Sequence, residues 1–259
     1  MRQPTTGWIE SRWTKVGDLL MHARVSANPV PKESPRVVLV HGIGITSRYW
    51  IPTLIRLGLD FHVAAPDLPG FGKSGKPERT QTLPELADWL AAWMRAGKLE
   101  GAALVGNSFG CQIIAETVVR HPRLASRVVF QGPTTDPHGN SAWEQLRRWH
   151  RNNPNEPFTH KIISLRDYTD CGVRRIWDTW MISLADHIEK KLPLVNLPAL
   201  VVRGSRDPIV PHAWAQQAAR LLPHGRLVVI PGGRHTINFS SPIEFVRILR
   251  PFLRGEADS

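Results

Sequence analysis

A single serine in this chain has glycines two positions to either side: Gly106, Asn107, Ser108, Phe109, Gly110. Average composition would supply a G-x-S-x-G pattern by chance in about one chain of this size in ten, so its flanks decide its meaning. "ALVGN" ahead of it reads as a strand, and "CQIIAETVV" behind it reads as a helix. A serine on a tight strand-to-helix turn takes an unfavourable backbone conformation, and glycines two residues away leave room for it. Its hydroxyl is then exposed near a helix N-terminus, whose dipole favours developing negative charge. The role expected of Ser108 is that of a nucleophile.

A serine hydroxyl needs a base, and the base needs an orienting carboxylate. Of eleven histidines, His235 lies in the glycine-rich "PGGRHTIN", directly after the strand-like "RLVVIP". Loops at strand carboxyl ends are where an open α/β sheet gathers its chemistry. Asp207, in "LVVRGSRDPIVP", occupies an equivalent place after another strand. Two alternatives stay open for the acid. Asp207 could instead cap a helix starting near Pro211, and Asp136, after the preceding core strand, is a rival. The order along the chain is Ser108, Asp207, His235.

Other chemistries find little support. "GFGKSG" ends like a phosphate-binding loop, but the position of the required first glycine is Asp67, and a turn rather than a helix follows. No H-E-x-x-H, clustered Cys/His set or dinucleotide fingerprint is present, so neither a metal nor a cofactor is expected. Cys111 and Cys171 have no C-x-x-C spacing and read as free thiols.

The elements that must carry these residues alternate. "RVVLVHG", "FHVAAPD", "GAALVGN", "SRVVFQG", "LPALVVRG" and "RLVVIPG" are short apolar runs of the buried parallel-strand type. "LPELADWLAAWMRA", "CQIIAETVVRH", "HAWAQQAARLL" and "SPIEFVRILRPFL" have helical spacing. "WIESRW" and "LLMHARV" add strands near the start. This is an α/β pattern with a mostly parallel, doubly wound sheet. The rhythm breaks between Pro133 and Asn196, where no strand is legible. That stretch holds Trp143, Trp149, Trp177 and Trp180 with six arginines, and reads as a helical insertion between core strands. The expected organisation is core 1–132, helical cap 133–196, core 197–259.

With these residues in place, the chain resembles the α/β-hydrolase superfamily, serine-nucleophile branch, over nearly its whole length. "HGIG" (His41 to Gly44) is similar to its oxyanion loop, "DLPGFGKS" to the loop after the next strand, and "GNSFG" to its nucleophile elbow. The Asp207 and His235 segments complete the order, and the insertion stands where that superfamily carries a cap. The resemblance implies a Ser-His-Asp triad of Ser108, His235 and Asp207. It also implies an oxyanion hole from the backbone amides of Ile43 and Phe109. His41 is expected to be structural.

Serine at 108 separates the chain from the dehalogenase and epoxide hydrolase branches, which resemble it but carry aspartate there. The function implied is hydrolysis of a small carboxylic ester through an acyl-enzyme. The alternatives are carbon–carbon bond hydrolysis of a ring-cleavage dienoate, which "GNS" resembles, or lactone or thioester hydrolysis. Against the dienoate branch stand the missing proline-glycine pair after "HGIG" and Thr236 where that branch usually has tryptophan. A ligand receptor on the same fold is a further alternative.

The chain has 259 residues and a net charge of +11. That charge is dispersed, with its densest stretch at "LRRWHR", and no nucleic-acid-binding motif accompanies it, so nucleic acid is not an expected partner. No run of about 18 apolar residues exists to insert stably in a membrane. "MRQPTTGWIESRW" shows no secretory h-region, so a cytoplasmic location is expected. The expected partner is a small ester or related acyl substrate; the oligomeric state, a homodimer included, stays open.

Overall fold

Short runs of valine, alanine and leucine form the centre of the molecule because both faces of each strand are covered. The computed structural model describes residues 8–256 except 153 and 155; part of the N-terminal stretch read for a secretory signal lies outside the described residues. Eight strands form one sheet: β1 (Ile9–Val16), β2 (Leu19–Ser26), β3 (Arg36–Val40), β4 (His62–Pro66), β5 (Ala102–Asn107), β6 (Ala125–Gln131), β7 (Ala199–Gly204) and β8 (Gly225–Ile230). Their order is β1-β2-β4-β3-β5-β6-β7-β8. β1 and β2 pair antiparallel, as do β2 and β4; every later pairing is parallel. The expected mostly parallel α/β sheet is the architecture found.

Helices cover both faces. α1 (Ile51–Leu57) and α10 (Pro242–Arg254) pack on one face; α2 (Leu83–Ala96), α3 (Phe109–Arg120) and α8 (His212–Leu221) pack on the other. The strand period of two sorts the core. Along β3, Val38 and Val40 join the α2/α3/α8 side, and Val37 and Leu39 join the α1/α10 side. Each such fully buried side chain contributes about 1.5–3 kcal/mol. Trp50 and Phe71 are both buried in the core, with Trp50 stacked on Phe245.

Between β6 and β7 the chain forms α4 (Ala142–Asn152), α5 (Phe158–Cys171), α6 (Val173–Ala185) and α7 (Ile188–Lys191), with no strand among the described residues there. These helices are tied to the core by polar contacts. The Gln112 amide on α3 donates to the Ser183 carbonyl at 2.9 Å and accepts from the Ser183 hydroxyl at 2.6 Å. The Thr80 hydroxyl donates to Asp178 at 2.8 Å. A last short helix, α9 (Ile237–Ser240), precedes α10. No helix among the described residues is long and apolar enough to cross a membrane.

Candidate active site

β5 ends at Asn107 and α3 begins at Phe109, so Ser108 alone makes the corner, with φ 56° and ψ −124°. A non-glycine residue held at positive φ costs about 1–3 kcal/mol and persists only where its surroundings over-determine it. Here the Ser108 amide donates to the Gln131 carbonyl at 3.0 Å, and the Cys111 amide donates to the Ser108 carbonyl at 2.9 Å. The flanking glycines are steric necessities. A Cβ on Gly106 would lie 2.7 Å from the Gly110 backbone, and one on Gly110 would collide with the Val40 carbonyl oxygen. Only bare backbone lets α3 start this close to β3 and β5. Cys111, on the first turn of α3, is buried, and burial pushes its thiol pKa well up. It is therefore held as a neutral thiol.

The loop after β3 packs against this corner: a Cβ built on Gly42 would stand 3.4 Å from Ser108 Cβ. Ile43 lies in that loop, ahead of Gly44 at φ +69°. Phe109 is the first residue of α3, so its amide has no acceptor within the helix. His41 is buried, which lowers its pKa, and both ring nitrogens are engaged. Nδ1 lies 2.9 Å from the Gly42 carbonyl, and Nε2 accepts from the Leu68 amide at 3.0 Å. It bridges two loops rather than facing outward as a second base.

Asp207 follows β7 and His235 follows β8. His235 Nδ1 lies 2.8 Å from Asp207 Oδ2, and both side chains are buried. Asp207 Oδ1 accepts from the amides of Ile209 and Val210 at 2.8 and 3.1 Å. Asp207 does not cap α8, whose N-cap is Pro211. Asp136 is engaged elsewhere, paired with Arg148 at 3.0 Å and accepting from the His138 amide. A Cβ on Gly132, which follows β6, would come within 3.1 Å of the His235 ring. Burial alone would lower the His235 pKa; the Asp207 carboxylate, helped by Glu156, outweighs it and holds the imidazole above its ordinary value.

Further residues pack around these groups, most of them with no motif to announce them. The His235 carbonyl accepts from Asn107 Nδ2 at 3.2 Å and from Gln131 Nε2 at 2.5 Å, which fixes the histidine loop beside the elbow. Asn107 Oδ1 also accepts from the Tyr49 hydroxyl at 3.1 Å. The Thr236 hydroxyl donates to Glu156, a buried carboxylate from the segment between α4 and α5, whose other oxygen accepts from Asn152 at 2.9 Å. In the first turn of α5, His160 is buried against the rings of Tyr49 and Phe239, and its Nε2 has no hydrogen-bond partner among the described residues. The nearest available signal was Asn107's place beside Ser108. Glu156 and His160 sit in a stretch without strand punctuation and gave none.

At the carboxyl end of the sheet stand the corner at Ser108, after β5, and the buried His235–Asp207 pair, after β8 and β7. Among the described residues no group of three His, Cys, Asp or Glu is placed to hold a metal ion. A separate cleft of about 540 Å³ lies between residues 78–80 and the α5–α6 junction and contains none of these residues.

The model of the alpha/beta hydrolase family matches residues 37–248. The (E)-2-((N-methylformamido)methylene)succinate hydrolase of Acinetobacter baylyi is 25% identical over 245 residues, covering 85% of this chain and 91% of that relative. The 2-(acetamidomethylene)succinate hydrolase of Mesorhizobium japonicum is 25% identical over 268 residues, covering 94% of this chain and 95% of that relative. The crystal structure of an E-2-(acetamidomethylene)succinate hydrolase superposes with a TM-score of 0.78 at 24% identity, covering 95% of this chain and 99% of that one.

Proposed function

The chain belongs to the alpha/beta hydrolase family, and on that premise we propose that it is a serine hydrolase cleaving a small carboxylic ester through an acyl-enzyme. The observation that carries this reading is the 2.8 Å bond between His235 Nδ1 and Asp207 Oδ2. Asp207 can only accept when ionised, so it keeps the proton on Nδ1 and leaves Nε2 free to take one from Ser108. Ser108 then attacks the ester carbonyl. The oxyanion forms opposite the amides of Phe109 and Ile43, where losing one donor typically costs about 2.7–4 kcal/mol. His235 protonates the departing alcohol, and water, deprotonated by the same imidazole, releases the acid. The helices of residues 133–196 act as the cap that selects the substrate.

The named relatives keep a second reading in view. Both are hydrolases of amido-substituted methylenesuccinates, and such an amide is the first alternative to the ester. The carbon–carbon reading rests on "GNS" and on the arginines of residues 133–196, which suit an acidic substrate; of these two supports, the amide of Asn107 is already engaged by Tyr49, Gln131 and His235. Its presence in "GNS" therefore has a packing explanation.

The test is turnover of ester, lactone, thioester, amido-methylenesuccinate and dienoate panels by the wild type and Ser108→Ala. Ester turnover that falls by about 10⁴-fold or more in the variant supports the reading. A fully active variant overturns it. Stoichiometric acylation without turnover would move the protein to the receptor alternative.

A further inference from the structure

Helices on a water-facing surface normally bury their apolar stripe and expose their polar one. α4, α5 and α6 instead leave an apolar stripe exposed, although Ile163, Tyr168, Ile176 and Ile182 also pack inward on the core. α5 buries His160, Ser164, Asp167 and Cys171 and exposes Phe158, Ile162 and Leu165, at i, i+4 and i+7 on the opposite side. α6 buries Thr179 and Ser183 and exposes Val173, Trp177 and Met181 at i, i+4 and i+8. α4 buries Gln145 and Asn152 and exposes Trp143, Leu146 and Trp149. Of the fourteen exposed large hydrophobic side chains among the described residues, nine lie on these three helices, so the exposure is a property of this layer and not of the surface at large.

The inner faces have a reason to be polar. Asp167 accepts from the amide and hydroxyl of Thr46 at 3.0 and 2.8 Å and pairs with Arg48, Ser183 bonds Gln112, and His160 lies near His235's loop. The outer faces have no such internal reason, and their charge indicates what they meet. Beside the stripes stand the exposed cations Arg166 and Arg174, the exposed Arg147, which also pairs with Glu144, and the half-buried Lys161. Among the acids of the same helices, Asp170 is exposed, but Asp167 and nearby Glu156 are buried, Glu144 is held by Arg147 and Arg148, and Asp178 accepts from Thr80.

We propose that the outer faces of α4, α5 and α6 dock on an anionic phospholipid surface. The aromatic and aliphatic side chains enter the headgroup–acyl boundary, and the arginines and lysine meet headgroup phosphates. A second copy of this face would bring like charges together. A nucleic acid would offer stacking to the aromatic rings but nothing to Leu146, Ile162, Leu165, Val173 or Met181. An acyl boundary ringed by phosphates satisfies both kinds of side chain. The inference is independent of the hydrolytic reading, since none of its residues is placed in the candidate active site.

The test is co-sedimentation of the full chain with large unilamellar vesicles of phosphatidylcholine alone or with one part in four phosphatidylglycerol. The expected result is at least tenfold stronger binding to the anionic vesicles, weakening between 0.05 and 0.5 M salt. Trp143→Ser/Phe158→Ser/Trp177→Ser should abolish it while leaving the circular dichroism spectrum and melting curve in place. Arg147→Gln/Arg166→Gln/Arg174→Gln should remove the preference for anionic lipid. Absence of binding, or undiminished binding in the serine variant, overturns the proposal. So does a wild-type dimer in light scattering that the serine variant dissociates, which would mean that a second copy covers the face.

Discussion

The hydroxyl of Thr236 donates a hydrogen bond to Glu156, joining the residue next to His235 to a buried carboxylate supplied by the helical segment between β6 and β7. The segment therefore places a carboxylate against the loop that carries His235.

That relationship has a signed consequence. Glu156 adds to Asp207 in holding the His235 pKa above its ordinary value. Glu156→Gln should therefore lower that pKa, keep the imidazole neutral to more acidic pH, and move the acid limb of kcat/KM to lower pH. A profile of kcat/KM against pH for both proteins checks this; an unmoved or upward-moved limb contradicts it.

Asp207 and Asp136 are separated by their partners. Asp207 bonds His235, whereas Asp136 pairs with Arg148. Asp207→Asn should lower kcat by about 10⁴-fold. Asp136→Asn should act mainly on stability and leave kcat within about tenfold of wild type, because the charge it removes faces Arg148. Steady-state kinetics with calorimetry on both variants decides it, and the opposite ranking would reassign the acid.

Gly110 lies against the Val40 carbonyl oxygen. Gly110→Ala must push α3 away from β3, at a cost of about 1–3 kcal/mol for an overpacked site, and must shift the Phe109 amide with it. Lower Tm and lower kcat together are expected from thermal denaturation and kinetics. Retention of both would show that the corner has more room than its geometry indicates.

Asp167 ties α5 to the loop that carries Ile43, through Thr46 and Arg48. Removing one partner of a buried ion pair costs about 3–5 kcal/mol, so Asp167→Ala should destabilise the protein on that scale in chemical denaturation. Hydrogen exchange should rise first in residues 43–48 and α5. Uniform exchange across the chain would argue against a local tie.

His160 carries a buried Nε2 without a partner among the described residues. His160→Leu removes an unsatisfied polar group, so it should leave Tm unchanged or raise it. If substrate supplies the missing partner, KM should rise for substrates with a polar acyl group while apolar esters are unaffected. Equal KM ratios across such a pair would leave His160 as packing alone.

Much of the frame was legible because it is local. The predicted helix "LPELADWLAAWMRA" is α2 itself, closed by a Thr82–Glu85 capping box, and the valine-rich runs are β3, β6, β7 and β8 because strand period and burial act residue by residue. The elbow was legible for the same reason, since Gly106, Ser108 and Gly110 are neighbours and their spacing is the constraint. Glu156 and Thr236 are 80 residues apart, and no periodicity links them. Asn107 was visible, but its partners Tyr49 and His235 were not, so its likeness to another branch could be noted and its packing role could not.

The sequence by itself determined the sheet, the corner at Ser108 and the chain order of Ser108, Asp207 and His235. Each depends on neighbouring residues and on the periods of 2 and 3.6 that backbone geometry imposes. It also marked residues 133–196 as a helical insertion holding four tryptophans and six arginines. Only the tertiary structure decided which way the faces of those helices point. A periodic pattern specifies that a helix has two faces; which face is buried depends on what the rest of the fold presents to it. Here the fold presents Thr46, Arg48, Gln112 and the His235 loop, so Asp167, Ser183 and Glu156 turn inward and Trp143, Trp149 and Trp177 are left outside.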